Sequence, residues 1–296
     1  MKGIILAGGS GTRLRPVTIG VSKQLLPVYD KPMIYYPLSV LMMSGIREIL
    51  IITSPADKDV FGKILGDGSS LGLSITYAEQ TVPRGLADAF LVGAEHVGTD
   101  SVALVLGDNI FHGPDLGPLL RHHVRDLDGC TLFGHPVRDP ERYGVGETDS
   151  RGRLVSLTEK PEQPSSNKAV TGLYLYDNDV VEVARQLRPS PRGELEITDV
   201  NRTYMEEGRA KLVELGNEFS WFDTGTCDSL LEASKYVQEI ESRQGTRIAC
   251  IEEIAYSMGF VSAEELHELG ARLSSSPYGN YVKGLVEPRP LLEVAG

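Results

Sequence analysis

Gly8-Gly9-Ser10-Gly11-Thr12-Arg13-Leu14 is the stretch whose residue types most directly suggest chemistry. Glycine exposes its backbone N–H groups and tolerates φ > 0, so such a loop can wrap phosphate oxygens, although the same spelling also serves a plain tight turn. A dinucleotide fingerprint starting at Gly9 would need Gly or Ala where Leu14 stands, and a Walker A loop needs a Gly-Lys-Ser/Thr that is absent. Arg13 and Lys23 sharpen the reading. A reaction at the α-phosphorus of a nucleoside triphosphate adds negative charge to that phosphate and to the leaving pyrophosphate, which fixed cations stabilise most in the transition state. Apolar neighbours in Ser22-Lys23-Gln24-Leu25-Leu26-Pro27-Val28 would anchor Lys23 pointing inward; otherwise it is a surface lysine. Asp108 and Asp223 each follow an apolar run and open a loop, the place of a helix N-cap or of a metal ligand. Glu159-Lys160 by itself reads as a solvated turn.

These residues need a scaffold that gathers them. The runs 3–7, 49–53 and 102–106 are continuous, apolar and bounded by polar residues or glycine, as strands buried on both faces of a parallel sheet are; 73–77 alternates. A helical stripe at 85–97 lies between strands, so a doubly wound α/β sheet is expected, with ligands beyond the carboxyl ends of its strands. From 130 to 176 strands and turns follow one another (131–134, 154–157, 172–176), and helices are expected at 179–187, 198–207 and 227–241. Ser262-Ala263-Glu264-Glu265 spells a capping box in a mostly helical final third. The expected fold is α/β, doubly wound, with a mostly parallel mixed sheet and a small helical C-terminal appendage. A single catalytic domain with this appendage and a flexible tail over 286–296 is the economical reading.

The 296 residues carry a net charge of −12, which argues against a nucleic-acid partner. Residues 1–50 nonetheless hold six bases against two acids, a local +4 that leaves −16 for the rest. Cys130, Cys227 and Cys250 cannot all pair and lack C-x-x-C spacing, and no apolar run reaches membrane-spanning length, so a cytoplasmic protein with reduced thiols is expected. His122-His123 does not make a metal pair, because adjacent helical residues point about 100° apart.

The glycine segment with Ser22–Pro27 closely resembles the signature of the sugar-phosphate nucleotidyltransferases. Tyr29-Asp30-Lys31-Pro32-Met33, Leu106-Gly107-Asp108-Asn109, Asp139-Pro140-Glu141-Arg142-Tyr143-Gly144-Val145, Pro191-Arg192-Gly193-Glu194-Leu195-Glu196 and Asp223-Thr224-Gly225-Thr226 extend the likeness over residues 1–285, most of all to members that act on dTTP and glucose 1-phosphate. The resemblance implies a Rossmann-like fold and a Mg²⁺-dependent reaction giving dTDP-glucose, a precursor of dTDP-deoxysugars such as dTDP-rhamnose. It implies that Gly8, Gly9, Gly11, Thr12, Arg13, Lys23, Gln24, Gln80, Gly85 and Asp108 bind the nucleotide. Gln80 offers an amide donor and acceptor to the imide edge of thymine or uracil, and Gly85 lets the base lie close. Asn109, Tyr143, Gly144, Glu159, Lys160, Val170 and Tyr174 would hold the sugar phosphate, Asp108 and Asp223 the metal, and Arg13, Lys23 and Lys160 the reacting phosphates. No histidine base is required, because a phosphate monoester is already largely ionised at neutral pH. By the same resemblance, residues 1–245 would form the catalytic domain, with a nucleotide part to about 125 and a sugar part after it, and the helical segment 246–285 would serve assembly or regulation, implying a homo-oligomer, a tetramer, and a second nucleotide-sugar site. Two residues depart from the family pattern. Arg84 replaces an acidic residue and would add a cation at the nucleotide end, and Gly146 replaces a larger apolar residue and would loosen the pocket wall. Open alternatives are a uridylyl or broad-specificity enzyme, a metal-dependent glycosyltransferase, for which the Asp-x-Asp motif is missing, and a non-catalytic nucleotide-sugar sensor.

Overall fold

The computed structural model describes residues 1–9 and 11–287; Ser10 and most of the expected tail, 288–296, lie outside the described residues. The chain begins with β1 (Lys2–Ala7), a tiny ladder of β2 (Pro27–Val28) and β3 (Lys31–Pro32), and α1 (Tyr35–Met43). Next come β4 (Glu48–Thr53), α2 (Lys58–Leu65), β5 (Ser74–Glu79), α3 (Asp88–Val92), α4 (Ala94–Val97), β6 (Val102–Leu106), β7 (Asn109–His112) and α5 (Leu116–Arg125). The second half holds β8 (Cys130–Pro136), β9 (Gly144–Thr148), β10 (Leu154–Glu159), β11 (Lys168–Tyr176), α6 (Val180–Gln186), α7 (Ile197–Glu206), β12 (Ala210–Glu214) and β13 (Ser220–Asp223). It ends with α8 (Cys227–Gln244), α9 (Ile251–Ser257), α10 (Ala263–Arg272) and α11 (Pro277–Gly284).

The main sheet runs β10-β9-β11-β6-β1-β4-β5, with β8 and β12 branching from β11. β5, β4, β1 and β6 are mutually parallel, whereas β11 turns antiparallel against β6 and β8, so the sheet is mixed. The apolar runs are continuous because both faces are buried. Alternate side chains of β1 enter different cores: Ile5 packs with Leu38, Leu41 and Phe61 on one side, and Ile4 with Phe90, Leu104 and Tyr176 on the other.

The expected single helix over 85–97 is two short ones. Residues 85–87 are tied instead to the loop before α7, where Leu195 N–H donates to Arg84 O and Ala87 N–H to Leu195 O. Gly93 leaves helical geometry between α3 and α4, packed so tightly on Ile4 that a Cβ would come within 2.8 Å of its Cδ1. The C-terminal helices are not loosely appended. Ile251, Ala255 and Val261 join the core under α1, and Tyr35 packs with Cys250, Leu266, Tyr278 and Val282. The capping box at Ser262 and Glu265 is formed as read.

Candidate functional site

β1 delivers the chain into the glycine loop at the carboxyl edge of the parallel half, where a cleft of about 370 Å³ opens. Arg13 sits on a single 3₁₀ turn, Thr12–Leu14, pinned by buried Leu14. Lys23 starts another such turn, Lys23–Leu25, held by buried Leu26 and by Gln24, whose Oε1 accepts from Ser22 Oγ at 2.7 Å. So anchored, Lys23 reaches across to pair with the carboxylate of Asp108. Arg13 lies against Gly225, where a Cβ would stand only 2.6 Å from its guanidinium nitrogen and 3.1 Å from Asp223 Oδ1.

Neither aspartate caps a helix. Asp108 lies between β6 and β7, Asp223 ends β13, and the cap of α8 is Thr226. The two meet because β7 and β13 pair antiparallel with Asp223 opposite Asn109. Thr224 then donates its N–H (3.1 Å) and its hydroxyl (2.7 Å) to the carbonyl of Asp108. Burial and the facing Asp108 carboxylate push the Asp223 carboxyl up. For Asp108, burial opposes the charge, but Lys23 and the amide of Asn109 hold its carboxyl below the usual range.

Asn109 spends its side chain on this arrangement. Its Nδ2 donates to Asp108 Oδ1 at 3.0 Å, and its Oδ1 accepts from Gly172 N–H at 3.0 Å and Trp221 Nε1–H at 2.7 Å. The expected sugar contact is therefore also a strut for Asp108.

At the other end of the parallel half, Gln80 follows β5 and is almost fully buried. Its Nε2 donates to Asp88 Oδ2 at 2.8 Å. Arg84, the cation expected at the nucleotide end, pairs with the buried Asp88, Nη2 to Oδ1 2.8 Å. Gly85, at φ +100°, is demanded by its other side, where a Cβ would collide with the backbone of Leu195.

The second half supplies the facing wall. β9 and β10 pair so that Glu159 stands opposite Gly144. Glu159 Oε2 accepts from Thr198 Oγ1 at 2.6 Å, and Lys160 Nζ lies 3.4 Å from Glu159 Oε1. Lys160 holds φ +43°, a left-handed backbone that a lysine adopts only under constraint, and its N–H donates to Tyr143 O at 3.0 Å. The ring of Tyr143 meets Trp221 edge-on at 5.1 Å, with Val170 and Tyr174 behind. Gly146 is not in this wall. A Cβ there would meet Leu212 at 2.9 Å and Leu154 at 3.0 Å, so the glycine serves core packing beneath Val170.

Of the residues singled out from sequence, Gly8, Gly9, Arg13, Lys23, Gln24, Gln80, Gly85, Asp108, Asn109, Tyr143, Gly144, Glu159, Lys160, Val170, Tyr174 and Asp223 all line the one cleft. Gly11 and Thr12 do not line it; Gly11 instead fixes the loop, its carbonyl accepting from Thr18 Oγ1 at 2.7 Å. Sequence reasoning missed Arg142, Glu194, Ile197 and Trp221. Arg142 was findable, since it precedes Tyr143-Gly144; Trp221 was not, because its strand has no apolar period. No histidine lines the cleft, and no cluster of three or more His, Cys, Asp or Glu with metal-binding geometry occurs among the described residues.

The profile of the family described as nucleotidyl transferase matches residues 2–240. The chain belongs to the nucleotidyl transferase family. This nucleotidyl transferase is 55% identical over 287 residues to the glucose-1-phosphate thymidylyltransferase of Neisseria meningitidis, covering 97% of this chain and 100% of that one. It is 54% identical over 287 residues to the protein of the same name from Mycolicibacterium smegmatis, covering 97% and 99%. Among solved structures it is similar to a candidate glucose-1-phosphate thymidylyltransferase of Bacillus anthracis, in complex with a sucrose, at TM-score 0.74 and 40% identity, covering 80% of this chain and 94% of that one. A UDP-glucose pyrophosphorylase complexed with UDP-glucose aligns at TM-score 0.70 and 26% identity, covering 81% and 98%. No helix among the described residues is long and apolar enough to cross a membrane.

Proposed function

We propose that this nucleotidyl transferase joins dTTP and α-D-glucose 1-phosphate to give dTDP-glucose and pyrophosphate. The observation that carries this reading is the β7–β13 pairing, which brings Asp108 and Asp223 together in the cleft that Arg13, Lys23, Gln80, Gly85, Glu159 and Lys160 also line. The near full-length likeness to enzymes of that name supports it. Gln80 and Gly85 take the base, Gly8, Gly9 and Gln24 the triphosphate, and Tyr143, Gly144, Glu159, Val170 and Tyr174 the sugar.

Asp108 and Asp223 suit a magnesium ion. Burial beside Asp108 leaves Asp223 short of compensating positive charge, and Mg²⁺ takes one or two carboxylates together with substrate phosphates. When bound, the ion neutralises charge on the α-phosphate and the leaving pyrophosphate. The chain's own work is to align. Lys160 holds the phosphate of the sugar for attack, Arg13 and Lys23 stabilise the departing pyrophosphate, and no proton has to be taken from a nucleophile that is already ionised.

Residues 1–125 then serve as the nucleotide part, 126–245 as the sugar part, and 246–285 as an assembly segment of a homo-oligomer, a tetramer, in the cytoplasm. Exposed Leu231, Tyr256 and Leu273 on or beside α8–α10 support subunit contacts. To test the function, ATP, GTP, CTP, UTP and dTTP are each incubated with glucose 1-phosphate, Mg²⁺ and the protein. Pyrophosphate release should be fastest with dTTP, and UTP should follow because its imide edge matches that of thymine. Release with no nucleotide, or only with ATP or GTP, would overturn the reading.

A further inference from the structure

The glutamine at the base recess does not stand alone. A free Gln amide can turn over and present either its carbonyl oxygen or its NH₂, so by itself it would accept bases of either hydrogen-bonding polarity. Gln80 has lost that freedom. Its NH₂ lies 2.8 Å from Oδ2 of Asp88, whose side chain is wholly buried. A carboxylate only accepts hydrogen bonds. Turning the amide would set oxygen against oxygen where no water can intervene, losing a charge-assisted bond and leaving an acceptor unpaired.

Asp88 is itself held in place. It opens α3, its second oxygen lies 2.8 Å from the Arg84 guanidinium, and the intervening loop is tied to the backbone of Leu195. The polarity of the exposed end follows. Gln80 Oε1 is the atom nearest the position of a Cβ on Gly8, at 3.3 Å, so the carbonyl oxygen lies on the glycine-loop side, where the cleft is.

We propose that Asp88, counter-charged by Arg84, is a specificity-determining positioning residue that locks the amide of Gln80 with its oxygen towards the base. A fixed acceptor selects a base with a ring N–H at that place, as thymine and uracil have, and repels cytosine, whose ring nitrogen there is an acceptor. Arg84 thus acts on the base through Asp88 and Gln80. This inference rests on the proposed use of a pyrimidine nucleotide in the cleft.

The test is the ratio of kcat/KM for dTTP to that for dCTP, with glucose 1-phosphate as acceptor, in the wild-type protein and in Asp88→Asn. An asparagine can face Gln80 with either end, so the amide is released. The ratio should fall roughly tenfold or more, a small part of the discrimination a polar site can exert. The change should lie in KM for the nucleotides, with kcat for dTTP unchanged, because base contacts are made equally in ground and transition states. Asp88→Glu keeps an acceptor-only group and should retain more of the preference than Asp88→Asn. A folded Asp88→Asn protein with the wild-type ratio overturns the proposal. Should that variant not fold, equilibrium binding to the wild-type protein decides: UTP should displace bound dTTP and dCTP should not, and equal displacement overturns it. Binding of dTTP without any turnover would refute the proposed reaction while leaving this binding comparison able to support or overturn the locked amide.

Discussion

Asp223 concentrates the electrostatic conflict of the cleft, a part-buried carboxyl facing a second carboxylate that already belongs to Lys23. Asp223→Asn removes that conflict together with a proposed metal ligand. Turnover should fall on the order of 100-fold or more, as loss of a group that organises transition-state charge does, while the melting temperature stays level or rises. Undiminished turnover would remove Asp223 from the metal site. Lys160 tests the opposite wall. Its alanine variant should raise KM for glucose 1-phosphate about tenfold or more, the effect of losing roughly 1.5–3 kcal/mol from a hydrogen bond to a charged group, and leave KM for dTTP nearly unchanged in steady-state kinetics. At this scale much was legible. Arg13, Lys23 and Asp108 could be picked out because glycine, cation and carboxylate recur where strands end, whereas Glu159 stood out only through the family resemblance. What Asn109 and Asp88 do was not legible, because a residue that orients another is recognised only by its partners in space.

Among the elements, the strands of the parallel half were readable because burial on both faces makes them continuously apolar. β13 was not. Its Ser-Trp-Phe-Asp is partly exposed at every position, yet its pairing with β7 brings the two aspartates together. The stripe at 85–97 misled for a related reason, since tertiary ties to Leu195 outweigh the helical period at its start. The C-terminal helices carry their own titration. Glu252 on α9 is buried and its carboxyl is pushed up from the ordinary 4.5, although Tyr278 donates to it. A raised carboxyl favours the folded state while protonated, so its share of stability is present at low pH and is lost as pH rises above 4.5 through the raised value. Urea unfolding of Glu252→Gln should therefore show the variant gaining on the wild-type protein as pH increases. A difference independent of pH would mean that Glu252 is not raised.

For the molecule as a whole, the charge arithmetic needs revision. Of the bases in the +4 N-terminal stretch, Arg13 and Lys23 line the cleft, whereas Lys31 is buried with Asp30 and Glu241 and Lys2 pairs with Glu48 and Asp100. Within the cleft Arg13, Lys23, Arg142 and Lys160 are matched by Asp108, Glu159, Glu194 and Asp223. In the proposed reaction two polyanionic substrates would thus be brought together by placed charges with a metal ion, not by a net positive field. If the sugar phosphate attacks the α-phosphorus directly, no nucleotidyl-enzyme intermediate forms. The decisive measurement is exchange of labelled pyrophosphate into dTTP, with Mg²⁺, in the presence and absence of glucose 1-phosphate. Exchange should occur with the sugar phosphate and stop without it. Exchange that persists without the sugar phosphate, or that fails even with it, would contradict direct displacement between two substrates in this cleft.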